Sequence, residues 1–332
     1  MSNPQIQSGF WEAPSGSPLT PTGAAKRSEV DSQYVTKEEY IQSPEAMGSG
    51  ITANSPDGMY ANGTLDRVLL RASGWVSRYC RQWFDTQTID EYQTGFTVKP
   101  FNPRLVTVVT HNAPIQSIES IYIQVLQWFI QVQTTPLQSS YLQIQPDWGT
   151  FKIVPLLSTA GSGTGSPIPA AILDKVPLGV LWYTYTFGYG TNITAYVLNN
   201  VSPSGNTVFQ PADFNYRLWA PSQTLNVYVD GVLISDPTLY TVDYANGMVT
   251  FLADIGSPHV VTADFVTNNS IPYDIKYAVI KYATKLILQG MQNPMGYKSM
   301  NITGFSVNYG NEYIEEIKEL LEPYRRNRFT II

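Results

Sequence analysis

Four arginines, Arg67, Arg71, Arg78 and Arg81, fall within the stretch LDRVLLRASGWVSRYCRQWF, residues 65 to 84, of a chain whose formal net charge is -6. Guanidinium groups recognise phosphates and carboxylates through paired, charge-assisted hydrogen bonds. The stripe therefore suits nucleic acid, an anionic membrane surface or an acidic protein surface. Other reactive residues are sparse: two histidines, His111 and His259, and one cysteine, Cys80. A metal centre or a general base would need one of the histidines inside a carboxylate cluster. His111 lies instead in the Pro-flanked THNAP, and His259 opens a strand. No His-Glu-x-x-His, nucleophile elbow or phosphate loop occurs, and GSGTGSP lacks a Gly-Lys-Ser/Thr ending and reads as a linker. Asp85 with Asp90, or Glu315 with Glu316, have the residue types for glycoside hydrolysis, but sequence does not set the two carboxyls opposite each other. No catalytic residue, metal site or cofactor is expected, and the chain is not expected to be an enzyme.

The arginines need an element to hold them. On a wheel of about 100° per residue, Leu65, Val68, Leu69, Ala72, Trp75, Val76, Tyr79 and Trp83 share one broad face, and the four arginines fall opposite. Burying each large apolar side chain contributes about 1.5–3 kcal/mol, whereas like charges at i,i+4 cost only about 0.2–0.5 kcal/mol. Burial therefore sets the orientation, and the arginines point wherever it leaves them. A solvated face is the plain reading; contact with an acidic partner or with DNA is the other. Cys80, at the edge of the apolar face, reads as a small buried hydrophobe.

Composition narrows the function classes. Charged residues are only 14% of the 332, while 22 tyrosines, 24 glycines and 23 prolines are present. Low charge with abundant aromatics fits a chain that meets neighbours over much of its surface, and equally a β-rich protein with many turns. A net charge of -6 argues against coating DNA by phosphate neutralisation. MSNPQIQSGFWEAP has neither the basic start nor the apolar core of a secretory signal, and no apolar run reaches the ~18 residues of a membrane span. Synthesis in the cytoplasm and no membrane partner are expected.

Periodicity divides the chain. Residues 1–34 are rich in Ser, Pro, Gly and Thr and read as a flexible arm. Thr36 and Glu39 in YVTKEEYIQSP form a capping box closed by Pro44. Strand patterns run from about residue 88 to the VLWYTYTFGYG segment ending at 190, with PDWG as one turn. Residues 191–269 hold several short strands with no helix, and Asp230-Gly231 and Asn246-Gly247 are two-residue hairpin signals. Helices return in SIPYDIKYAVIKYATKLIL, with Ser270 near its N-cap, and in NEYIEEIKELLEPYRR. The fold class is α+β: a helical core with a small antiparallel sheet, plus an inserted all-β, sandwich-like domain.

Taken in order, LDRVLLRASGWVSRYCRQWFDTQTIDEYQTG, PIQSIESIYI, YLQIQPDWGTFKIVP, YTFGYG, IPYDIKYAVIKYATKLIL and YIEEIKELLEPYRR resemble the head-to-tail connector (adaptor) proteins of tailed bacteriophages. The resemblance covers roughly residues 35–190 and 270–326, which it implies form one discontinuous adaptor core. It departs from the family in the segment 191–269, which reads as a domain inserted at a loop whose ends lie close together. What the resemblance implies is a virion structural protein of the neck, assembled as a ring of twelve copies beneath the portal protein. The tail or the next neck protein would dock below, and DNA would pass through without specific binding. The tail 327–332 with the residues before it, Tyr324, Arg325, Arg326, Arg328 and Phe329, joins the four helix arginines as the expected partner interface. A second reading is a tail or adhesion protein whose β domain binds host glycan, with Trp219 stacking on sugar. A third is a hydrolase of the cell envelope.

Overall fold

The computed structural model describes residues 32–49, 63–94, 106–125, 128–132, 142–153, 180–256, 259–292, 299–302, 305–308 and 312–326. Most of the expected arm, the GSGTGSP linker and the tail with Arg328 and Phe329 lie outside them. Both helices and antiparallel sheets are present, as an α+β class requires. Residues 87–188 form one compact unit, and residues 30–86 with 189–332 form the other. The helices thus share a unit with the 191–269 strands.

The 87–188 unit contains β1 (Gln87–Thr94), β2 (Val106–Val109), β3 (Ile115–Val125), β4 (Trp128–Val132), β5 (Leu142–Gln145), β6 (Thr150–Ile153) and β7 (Val180–Phe187). One antiparallel sheet runs β1-β7-β3-β4 and a second runs β2-β6-β5. Alternation along β7 turns Tyr183, Tyr185 and Phe187 inward with Ile115, Ile118 and Ile121 of β3, all buried. Phe151 of β6 meets Tyr183 edge-on at 5.2 Å, so the two sheets share one aromatic core. The PDWG turn lies between β5 and β6, with Gly149 in the left-handed region at φ 57°.

The other unit opens with α1 (Lys37–Ile41), α2 (Pro44–Ser49) and α3 (Thr64–Cys80). The capping box forms as read: Thr36 Oγ1 accepts from Glu39 N, and Glu39 returns a carboxylate to Thr36 N at 2.8 Å. Residues 32–34, expected in the arm, are buried. Tyr34 meets Phe84 edge-on at 5.8 Å and pairs its hydroxyl with Ser77 Oγ, so core packing reaches beyond the low-complexity leader. The expected 65–84 helix ends at Cys80. Arg81 adopts the left-handed conformation (φ 58°), and Gln82 N donates back to Ser77 O. That conformation costs an arginine about 1 kcal/mol. The turn buries Phe84 and Asp85 and takes Trp83 off the helix.

Seven-stranded antiparallel pairing follows, from β8 (Thr191–Asn200), β9 (Val208–Gln210), β10 (Asn226–Val229), β11 (Val232–Leu233), β12 (Tyr240–Asp243), β13 (Met248–Phe251) and β14 (Val261–Thr267). Their order is β11-β10-β14-β8-β9-β13-β12, one continuous curled sheet in place of two separate ones. β8 joins the halves: Thr191 to Leu198 pair with β14, and Asn199 and Asn200 pair with β9. Leu198, Phe209, Val227, Val249, Phe251, Val261 and Phe265 from both halves pack as one core.

Asp230 (φ 52°) and Gly231 (φ 79°) make the expected two-residue turn between Val229 and Val232. Asn246-Gly247 does not. Asp243 pairs with Met248 across four residues, because Asp243 Oδ1 accepts from Ala245 N and Asn246 N and holds an Asx turn. Gly247 alone is left-handed there (φ 60°), and a Cβ on it would stand 2.5 Å from Arg217 O.

The chain ends its described course with α4 (Tyr273–Gln292), the pair β15 (Ser299–Ile302) and β16 (Phe305–Asn308), and α5 (Glu312–Leu321) with one 3-10 turn, Glu322–Tyr324. Pro272 caps α4, its carbonyl accepting from Ile275 N and Lys276 N, while Ser270, expected at that cap, pairs with the Thr191 hydroxyl at 2.9 Å. Ile275, Ala278, Val279, Ala283 and Ile287 of α4 pack with Leu65, Leu69, Ala72, Val76 and Cys80 of α3 and with Ile317 and Leu321 of α5.

Candidate functional site: the arginine face of helix α3

Burial orients α3 as its periodicity dictates. Leu65, Leu69, Ala72, Val76 and Cys80 are fully buried, and Arg67, Arg71, Arg78 and Arg81 are exposed. Arg67, Arg71 and Arg78 leave the helix itself, and Arg81 leaves the left-handed residue just past it. Arg78 Nε donates to Gly74 O at 3.0 Å, which aligns its guanidinium along the helix. Among the described residues none of the four forms an ion pair with a carboxylate. Among the described residues the charge of this face is therefore uncompensated.

A shallow groove of about 460 Å³ runs along that face, lined by Arg71, Trp75, Arg78, Tyr79 and Tyr282. Trp75 stacks on Tyr79 at 5.6 Å and on Tyr282 at 4.2 Å, each pair 9° from parallel. The i,i+4 spacing of Trp75 and Tyr79 predicts the first contact. Tyr282 comes from α4, some 200 residues away, and no local signal in the sequence reveals it. The result is a flat aromatic floor between two guanidinium groups, able to take an apolar side chain next to a carboxylate.

The structure brings part of the expected C-terminal interface to the same place. Arg325 lies over the Tyr79 ring, 5.4 Å from its centroid, and pairs with Glu322 at 3.5 Å; Glu322 also accepts from the Tyr79 hydroxyl. Arg326 N donates to Cys80 O at 2.9 Å, and Gln82 Nε2 donates to Tyr324 O. Tyr324 packs edge-on against Phe84 and donates its hydroxyl to Asp274. Burial, and the Asp274 carboxylate next, push the Tyr324 phenol up to about 12, so it stays a hydrogen-bond donor. Arg78, Arg81, Tyr324, Arg325 and Arg326 thus converge on one end of α3, Tyr324 as an anchor and the arginines around it. Arg328 and Phe329 lie outside the described residues.

The remaining reactive groups are explained by packing. Cys80 is buried, its Sγ 4.0 Å from Leu321 O, and desolvation raises the thiol to about 12. Alkylation of the folded protein by iodoacetamide near the ordinary thiol pKa should be at least tenfold slower than that of the unfolded chain, by the order of magnitude a raised pKa imposes. Equal rates would show that the α3–α5 contact opens readily. Asp85 is buried and accepts from Ser32 Oγ; Glu315 and Glu316 pair with Lys318 and Lys281. His259 contacts Asp230 at 2.6 Å on the surface, and His111 donates its backbone N–H to Glu91. Trp219, on which glycan stacking would rest, is 2% exposed, stacked on Phe265 and donating to Tyr216 O. Among the described residues no cluster of His, Cys, Asp and Glu could hold a metal, and no helix is long and apolar enough to cross a membrane.

No family model matches the chain, and no curated protein matches it. Among solved structures it is similar to a chain of the neck of an empty GTA particle computed with C6 symmetry. The identity is 11%, over 89% of this chain and 94% of that one, with a TM-score of 0.27.

Proposed function

We propose that this chain is a virion structural protein of the head-to-tail connector kind. It forms a ring beneath the portal, joins capsid to tail and lines the DNA exit channel. The observation that carries the reading is the arginine face of α3, without an ion pair among the described residues, laid over an aromatic floor and flanked by the anchored segment 321–326. The order of motifs that resembles the adaptor family supports it, and so does a helical core that buries the apolar face of α3 and leaves the basic one outward. In this reading the face meets an acidic surface of a neighbouring ring or subunit, the chain acts by contact and not by catalysis, and the acidic overall balance keeps DNA from sticking to the channel wall.

Electron microscopy of the tagged protein mixed with tail-less, DNA-filled heads tests this directly. A symmetric collar at one unique vertex is the expected result; label on tails or host cells, with bare portals untouched, would overturn it. Replacing Arg67, Arg71, Arg78 and Arg81 together by Gln should weaken binding to such heads about tenfold or more at low salt. The difference should shrink as ionic strength approaches ~1 M, where the Debye length falls to about 3 Å. Equal binding at every salt concentration would remove the arginine face from the interface.

A further inference from the structure

The 191–269 sheet holds six aspartates, at 213, 230, 236, 243, 254 and 264, with Arg217 as its one cation and no glutamate or lysine, a net charge of -5 out of the -6 of the whole chain. It also carries most of the large apolar side chains that stand exposed among the described residues. At one end of β12 and β13 these features coincide. Leu239 is 51% and Leu252 70% exposed, their backbones joined by Leu252 N donating to Leu239 O at 3.0 Å. Asp236 and Asp254 lie three and two residues from these leucines, both exposed. Among the described residues their carboxylates accept from nearby backbone N–H groups and the Thr238 hydroxyl, and neither forms an ion pair. No lysine or arginine lies in this stretch of sheet to neutralise them.

This rim lies at the end of β12 and β13 away from their anchor to α1. The opposite end of β12 and β13, at Asp243 and Met248, is the anchored end: Gly247 sits against the Arg217 backbone, and Arg217 pairs with Glu38 of α1 at 3.3 Å. Strands of four residues carry the rim about 10 Å or more from that anchor. An acidic, leucine-bearing edge and an arginine-rimmed aromatic groove are complementary in charge and in apolar character, and neither forms an ion pair among the described residues.

We propose that the β12–β13 rim of one copy docks into the α3 arginine groove of a second copy. Leu239 and Leu252 lie on the Trp75, Tyr79 and Tyr282 floor, and Asp236 and Asp254 pair with Arg71 and Arg78. This rests on the connector reading for the premise that copies stand side by side, and it makes the 191–269 segment the arm by which neighbours are joined. Charge pairing at such an interface sets partner choice and encounter rate, and the buried leucines hold the contact.

The test exchanges charge between the two surfaces. In a helix variant, Arg71→Glu and Arg78→Glu, both surfaces are acidic. In a rim variant, Asp236→Lys and Asp254→Lys, both are basic, and the exposed carboxylates replaced there support no core. Sedimentation velocity of the purified full-length chains is the readout, with thermal unfolding to confirm that each variant folds. The parent should self-associate, each variant alone should need about tenfold or more higher concentration to do so, and an equimolar mixture should co-assemble at the parent's concentration. A monomeric parent, a variant that associates like the parent, or a mixture that stays apart would overturn the proposal. So would arginine-dependent retention of a DNA duplex with unchanged self-association. Should the interface fail while the tagged chain still collars one vertex of the heads, the connector reading stands without it.

Discussion

Glu91→Ala should lower the stability of the 87–188 unit by about 3–4 kcal/mol, the largest effect expected from a single polar side chain in this protein. The Glu91 carboxylate accepts from the Tyr185 hydroxyl at 2.6 Å, from the Tyr183 hydroxyl at 2.8 Å and from His111 N at 3.1 Å. Both tyrosines are buried, 0% and 3% exposed, so removing Glu91 takes a charged acceptor from two phenols that bulk water does not reach. These bonds also tie β1 to β7 and to the loop before β3, where Asn112 N donates to the Tyr185 hydroxyl. Tyr183→Phe or Tyr185→Phe removes donor and demand together and should cost only about 1–1.5 kcal/mol each. Chemical denaturation of the three variants checks the order. A Glu91→Ala loss no larger than that of either phenylalanine variant would mean the carboxylate is not the hub.

The same site predicts an alkaline limit. Burial, then the nearby Glu91 charge, raise the Tyr185 phenol well above its ordinary value, so the folded state holds a proton that the unfolded chain releases near pH 10. Stability from this group is complete below that pH and is lost as pH rises above it.

Gly190→Ala should cost about 3 kcal/mol by overpacking alone. An added Cβ would stand 2.0 Å from Thr86 Oγ1, 2.7 Å from Thr86 Cβ and 2.6 Å from Val266 Cγ1. Thr86 cannot retreat, because its N–H donates to Asn268 Oδ1 at 3.0 Å and its carbonyl accepts from Ser222 Oγ at 2.8 Å. Those bonds join the end of the α3 segment to the 191–269 sheet, so the substitution strains the seam on which the proposed arm is carried. Thr86→Ala in the Gly190→Ala background should recover about half of the loss, since Cβ of residue 86 remains in the way. Thermal melts of the single and double variants decide it; strictly additive losses would show that the two residues do not share the space. The last glycine of the Gly-Tyr-Gly motif is thereby explained by close approach and not by backbone conformation, whereas the first, Gly188, is at φ 106°.

What the sequence by itself determined was whatever rests on a few adjacent residues or on one period. Thr36 and Glu39 close a capping box because both partners lie within one turn. Asp230-Gly231 makes its hairpin because both residues tolerate positive φ. The exposure of the four arginines follows from the apolar stripe of α3, since burial of Leu65, Leu69 and Val76 leaves the other face no choice. Tertiary structure decided the rest. It ended α3 at Cys80, because burying Phe84 outweighs the left-handed cost at Arg81. It overrode the Asn246-Gly247 signal through the Asp243 side chain, and it buried Trp219, which its type alone would equally offer to a ligand. The groove exists only because Tyr282 and Arg325 are carried to Trp75 and Tyr79 from more than 200 residues away. Contacts of that separation are set by the packing of whole helices, a quantity to which no local residue pattern is sensitive.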